Sequence, residues 1–218
     1  MNRGAVAGTL AVLYAGCAWE LPLCFAWLPA WLALVAGWVA LVYLLERPRL
    51  LGKIDAPAVA AVLLYPFLGS ARILVGRPGA GRSGRSEVAP GLWVGGWPAA
   101  GPDDLAHLDC TAELPRRAQP AAYRCVPMLD GTAMAPEALH EAVEQVVRWR
   151  AEGRPVLVHC AYGQGRSVAV TAVVMVRCGL ASSLDDALDR IRALRPRARL
   201  VRGQRGVVEA ELARGGLR

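Results

Sequence analysis

From Val156 to Val170 the chain reads VLVHCAYGQGRSVAV: one thiol, Cys160, stands where an apolar strand-like run gives way to a helical one, and Arg166 follows six positions later. A strand that feeds a tight loop and then a helix leaves backbone N–H groups converging on one concavity, with the positive end of the helix dipole behind them. Such a nest binds an oxyanion. The same field lowers the pKa of a cysteine on its rim and makes a thiolate nucleophile at neutral pH. Arg166 can fold back and grip two phosphate oxygens through its planar fork, which a lysine does not provide. Gly163 and Gly165 let the loop curl through unusual dihedrals. Ala161, Tyr162, Gly163, Gln164, Gly165 and Arg166 thus form a candidate phosphate cradle with Cys160 at its base. The Gly-Lys-Ser/Thr ending of a nucleotide-binding Walker loop is absent.

The flanking sequence supplies elements to hold this loop. Pro155 to His159 has the composition of a buried strand, and Ser167 to Cys178 that of an apolar helix stopping at Gly179. Upstream, GLWVGG (91–96) and YRCVPM (123–128) read as strands, the second running into an Asp130-Gly131 turn. A helix is expected from Pro136 to before Gly153, with Ala138, Leu139, Ala142, Val143, Val146 and Val147 on one face. Another follows a Ser182 or Ser183 cap, burying Leu184, Ala187, Leu188, Ile191 and Leu194 until Arg195-Pro196 closes it. Strands alternating with helices point to an α/β domain with a partly parallel sheet.

His159-Cys160-x-x-Gly163-x-x-Arg166-Ser167 resembles the signature of cysteine-dependent protein tyrosine and dual-specificity phosphatases. APGLWVGGWP near the domain start, an aspartate thirty residues before the cysteine and Ala187…Ile191…Arg195-Pro196 after it resemble the compact dual-specificity branch, over roughly 88–214. The resemblance implies a central sheet flanked by helices and a reaction through a cysteinyl-phosphate. Cys160 would attack phosphorus, Arg166 and the loop amides would hold the equatorial oxygens, His159 would tune the cysteine, and Ser167 would bond its sulfur. Asp130 is the implied general acid, although Asp-Gly is also a plain turn signature; Asp103, Asp104 and Asp109 are weaker substitutes. Neither a cofactor nor a metal is implied. Substrates of this class are phosphorylated proteins or phospholipids, and the absence of lysine from the loop argues against a multiply phosphorylated inositol lipid. A rhodanese-like sulfurtransferase also holds a cysteine in an anion loop, but the His-Cys start with Gly163 and Arg166-Ser167 favours the phosphatase. A third reading is a module that binds phosphate without turnover.

The rest of the chain is less soluble in character. Hydrophobic residues make up 55% of the 218, concentrated from Ala5 to Leu45, where Glu20-Leu21-Pro22 is the main break. One helix of that length would be about 60 Å long, roughly twice a bilayer core, so two spans joined at the break are expected. A third run, Ala56 to Val75, is interrupted by Pro57, Pro66 and Gly69 and is expected to associate with the membrane without crossing. That arrangement puts Arg3, the Arg47-Arg49-Lys53 group and the Arg72-Arg77-Arg82-Arg85 group all on the cytoplasmic side, as the positive-inside rule requires. The expected plan is a multi-pass membrane region (1–75), a flexible basic linker (76–87) and a dual-specificity-phosphatase-like catalytic domain (88–218) facing the cytoplasm. The net charge of +7 fits lipid anchoring, and no nucleic-acid partner is expected. Six cysteines show no metal-ligand spacing, which suits a reduced compartment. Cys125 is expected to be structural, with a protective disulfide to Cys160 as the alternative.

Overall fold

The computed structural model describes residues 3–20, 23–51, 64–76, 84–98, 101–116, 118–201 and 203–216. The chain separates into two compact units, Met1–Leu74 and Val75–Arg218. Lys53, Arg77, Arg82, the first part of the third apolar run and most of the expected linker lie outside the described residues.

In the first unit, α1 (Arg3–Glu20) and α2 (Leu23–Leu44) flank the break at Glu20-Leu21-Pro22. Gly8 lies against Ala40, so the two helices run antiparallel. A 3-10 turn, Pro48–Leu51, folds back on α2, where the Trp38 indole donates to the Leu50 carbonyl at 3.1 Å. Val39, Val42 and Leu51 are buried. Among the described residues one helix, α2, is long and apolar enough to cross a membrane, over Trp27–Leu44; the apolar stretch of α1, Gly4–Ala15, is shorter. The outward faces remain apolar, with Val12, Leu34 and Leu44 each about three-quarters exposed (74%, 75% and 79%). The third run ends in α3 (Tyr65–Gly76), with Pro66 in its first turn, where a missing N–H costs nothing.

The second unit is built on five strands: β1 (Arg85–Ala89), β2 (Leu92–Gly95), β3 (Gly101–Thr111), β4 (Ala118–Met128) and β5 (Val156–His159). Their spatial order is β1-β2-β5-β3-β4, with only β1 antiparallel to its neighbour. β5 occupies the centre and all four of its residues are buried, which is why VLVH shows no alternation. Helices α4 (Pro136–Ala151), α5 (Arg166–Arg177), α6 (Leu184–Leu194) and α7 (Gln204–Arg214) follow. α5 is buried from Arg166 to Val176, whereas α4 and α6 bury one stripe each: Leu139, Ala142, Val143 and Val146, and Leu184, Ala187, Leu188 and Ile191. Ser183 is the α6 cap, accepting from the Asp186 N–H at 3.1 Å. Leu194, expected in that stripe, is 54% exposed because it falls in the last turn as α6 leaves the core.

Three features depart from the sequence expectation. The linker range 76–87 overruns the domain, since β1 begins at Arg85 and pairs with Gly95. β3 is hidden by its polar residues, yet Asp109 and His107 are fully interior because Thr111 and Tyr123 donate to Asp109 and the Asp103 carboxylate lies 3.2 Å from His107 Nε2. α7 carries little amphipathic pattern, so periodicity does not signal it.

Candidate active site

The loop from His159 to Ser167 leaves the central strand and enters α5 at Arg166. Gly163 adopts φ +66°, and a Cβ there would lie 2.5 Å from the Gly95 carbonyl carbon and 2.5 Å from Nη2 of Arg195. Side chains are excluded at this position by both dihedral and space. Gly165 does not share the requirement: its φ is −131° and a Cβ would meet nothing closer than 3.8 Å.

Cys160 is buried, and its Sγ accepts the Gly163 N–H at 3.2 Å and lies 3.3 Å from the Ser167 hydroxyl. Burial by itself raises a thiol's pKa. Here the Arg166 charge, with hydrogen bonds from the Ser167 side chain and backbone, outweighs burial and holds Cys160 below the ordinary thiol value. Cys110 provides the contrast. The pairing of Asp109 with His159 sets it beside Cys160 across β3 and β5, but burial pushes its thiol well up. Cys125, on β4, points its thiol to the Thr111 carbonyl at 3.6 Å, and the four described cysteine side chains are free thiols.

Arg166 is 1% exposed, and nearly every donor of its fork is accounted for. Nη1 donates to Glu113 Oε2 at 3.0 Å, to the Met128 carbonyl at 2.9 Å and, at 3.4 Å, to the Cys110 carbonyl; Nη2 donates to Glu113 Oε1 at 2.8 Å and lies 3.3 Å from Asp130 Oδ1. Burial disfavours the cation, but Glu113 and Asp130 more than compensate and keep it firmly charged. One donor, Nε–H, is buried and meets no acceptor. A buried charged donor without an acceptor is costly, and an anion bound in the loop would satisfy it. Glu113, itself 4% exposed, is the site residue that sequence reasoning missed. It stands 53 positions from Arg166, in a turn with no local motif.

Asp130 sits just past β4 on the loop over Arg166, partly exposed, with Gly131 at φ +77° completing the turn. The structure therefore brings Cys160, Arg166, Ser167 and Asp130 together. Two of the three substitutes are engaged elsewhere: Asp109 Oδ1 accepts the Thr111 N–H and hydroxyl at 2.8 and 2.7 Å and its Oδ2 accepts the Tyr123 hydroxyl at 2.9 Å, while Asp103 pairs with Arg85 at 2.5 Å; Asp104 is exposed. His159 is buried behind the loop, its ring edge-on to His107 at 5.5 Å and its Nδ1 3.9 Å from Asp109 Oδ1. Burial lowers the pKa of His107 despite Asp103 beside it, favouring the neutral ring.

No protein-family model matches the chain. Among curated proteins it is similar to dual specificity protein phosphatase 12 of Rattus norvegicus, 37% identical over 134 residues, and of Homo sapiens, 32% identical over 134 residues. Each match covers 54% of this chain and 38% of the relative, so the chain spans well under half the length of the relatives it matches. Among solved structures, human DUSP28 superposes with a TM-score of 0.53 at 23% identity, covering 59% of this chain and 95% of that one. Human tyrosine phosphatase-like serine/threonine/tyrosine-interacting protein gives 0.51 at 18% identity over 59% of this chain and 95% of that one. The chain thus resembles the dual-specificity phosphatases in sequence and, over the part covered, carries their fold, a mixed sheet flanked by helices; this chain also has an apolar helix, α2, near its N-terminus.

Proposed function

We propose that the chain is a membrane-anchored cysteine-dependent phosphomonoesterase of the dual-specificity or tyrosine protein phosphatase type. The observation that carries this reading is the unsatisfied Arg166 Nε–H, buried in the loop that also holds a depressed-pKa thiol. Its curated relatives are named dual specificity protein phosphatases, which supports the protein-substrate assignment.

In the proposed reaction the Cys160 thiolate attacks phosphorus, an S–P bond forms, and the P–O bond to the leaving group breaks. Arg166 and the inward N–H groups take up the equatorial charge, the kind of preorganised stabilisation that dominates such reactions. Asp130 gives its proton to the leaving oxygen and then accepts one from the attacking water. Water's oxygen bonds phosphorus, the S–P bond breaks, and the electron pair returns to sulfur, where the Ser167 hydroxyl stabilises it. His159 orders the end of β5 from behind.

The apolar exterior of α2 and α1 supports anchoring, since exposed patches of this kind seek lipid. Two spans with the domain on the cytoplasmic side remain the proposed topology. The same anchor favours a second substrate reading, a phospholipid monoester such as phosphatidylglycerophosphate, because tethering raises the site's effective concentration toward lipid. Phosphate release from a phosphotyrosine peptide and from that lipid, measured side by side on the full chain in mixed micelles with Cys160→Ser as blank, separates the two. Faster release from the peptide is expected; preference for the lipid would replace the protein assignment, and no release above the blank would leave a phosphate-binding module.

A further inference from the structure

A loop that turns its N–H groups toward an anion must turn its carbonyls away from it, and carbonyls turned into protein need donors. Each carbonyl from Ala161 to Gly165 has one. The Trp97 N–H serves Ala161 at 3.2 Å, the Arg199 N–H serves Gln164 at 2.8 Å, and the Ala169 N–H serves Gly165 at 2.9 Å within α5. The remaining two belong to a single side chain. Arg195, just past α6, donates from Nη2 to the Tyr162 carbonyl at 3.2 Å and from Nε to the Gly163 carbonyl at 3.1 Å. Its Nη1 is tied to the Gly84 carbonyl at 2.8 Å and lies 3.4 Å from the Ser86 hydroxyl, which fixes the guanidinium against the edge of the sheet.

We infer that Arg195 is a positioning residue for the phosphate loop: by holding the Tyr162 and Gly163 carbonyls outward it aims the next two N–H groups inward. The peptide unit is planar, so fixing the carbonyl of Tyr162 fixes the N–H of Gly163, the group that donates to Cys160 Sγ at 3.2 Å. Fixing the carbonyl of Gly163 likewise fixes the N–H of Gln164. Gly163 leaves its neighbourhood so permissive, at φ +66°, that these two peptides are the ones free to flip once the clamp is gone. Among the described residues no ion pair involves Arg195, and its guanidinium lies near enough to Cys160 for the two charges to attract. The inference rests on the anion-cradle reading of the loop and does not require turnover.

The test uses full-length chain in micelles and follows alkylation of Cys160 by iodoacetamide, peptide by peptide, as a function of pH and of added inorganic phosphate. Losing an aligned donor to a charged sulfur should raise the thiol pKa, so Arg195→Met should slow alkylation at pH 6 about tenfold and raise the phosphate concentration that protects Cys160 about tenfold. Arg195→Lys keeps the charge but reaches one carbonyl, and should fall between, near threefold, on an order-of-magnitude basis. An Arg195→Met chain that melts like the wild type and keeps both wild-type values overturns the inference. Should that variant fail to fold, Arg195→Lys decides alone: wild-type values in it overturn the clamp, and partial loss supports it. Phosphatase inactivity of the wild type, with these shifts present, would refute the proposed function and leave the clamp standing.

Discussion

Truncating Glu113 is the most exposing perturbation, because its consequence follows from burial alone. The carboxylate receives two charge-assisted bonds from Arg166, at 3.0 and 2.8 Å, and the Ala112 N–H at 3.0 Å, with both side chains of the pair at most 4% exposed. Glu113→Ala leaves the guanidinium buried with backbone carbonyls, Asp130 and the Cys160 thiolate for company. Removing one partner of a buried pair costs about 3–5 kcal/mol. For a folded unit of this size that is a fall in melting temperature of about 10–15 °C. Arg166 should also lose its aim, lowering kcat/KM by about 10²-fold, the scale of losing one preorganised donor. Calorimetry of the full chain in micelles reads the first effect and phosphate release the second. A double replacement, Glu113→Leu with Arg166→Met, removes both charges and should melt above Glu113→Ala while releasing no phosphate. A single variant melting within about 2 °C of wild type, where several times that is required, would refute the reasoning, as would a double variant less stable than the single.

Asp130→Asn should slow release from poor leaving groups by about 10²-fold and leave good ones nearly unchanged, as expected for loss of a general acid; equal loss across a leaving-group series would remove Asp130 from the mechanism. Gly163→Ala places a Cβ against the Gly95 backbone and forces a residue with a side chain to φ +66°, so activity should fall at least tenfold, the order of 1–3 kcal/mol of backbone strain, with lower melting temperature. The pH profile of kcat/KM has a worked sign. Cys160 has a folded pKa below its unfolded one, so the thiolate's stabilisation is fully present above the ordinary thiol value and is lost, with activity, as pH falls through the depressed value. The acid limb should therefore lie below about 8.5, the free-thiol value, and shift upward in Ser167→Ala; an unshifted limb would show that Ser167 does not stabilise the thiolate.

The phosphate loop was readable because everything it needs lies within nine residues: a strand to aim it, Gly163 to bend it, Cys160 and Arg166 at fixed spacing, and a helix behind. α4 and α6 were readable for the same local reason, one apolar stripe and a cap or a proline at the start. β3 was not. Asp103, His107 and Asp109 look like loop residues until Arg85, His159 and Tyr123 are brought to them from other segments. β1 reads as linker because an edge strand carries Arg-Ser-Glu without an apolar face, and only its pairing with β2 makes it a strand.

Local sequence therefore specified the chemistry that a single turn of chain can hold, together with an apolar α2 whose length and composition need no partner to be recognised. Tertiary structure alone decided how that chemistry is supported. Glu113 meets Arg166 across 53 positions, and Arg195 meets Tyr162 and Gly163 across 33 and 32. The physical reason is that a buried charge and an outward carbonyl demand partners of a type but not of a sequence position. Which carboxylate and which guanidinium answer them is settled only when the sheet order β1-β2-β5-β3-β4 brings the turn after β3 and the chain after α6 around the end of the central strand.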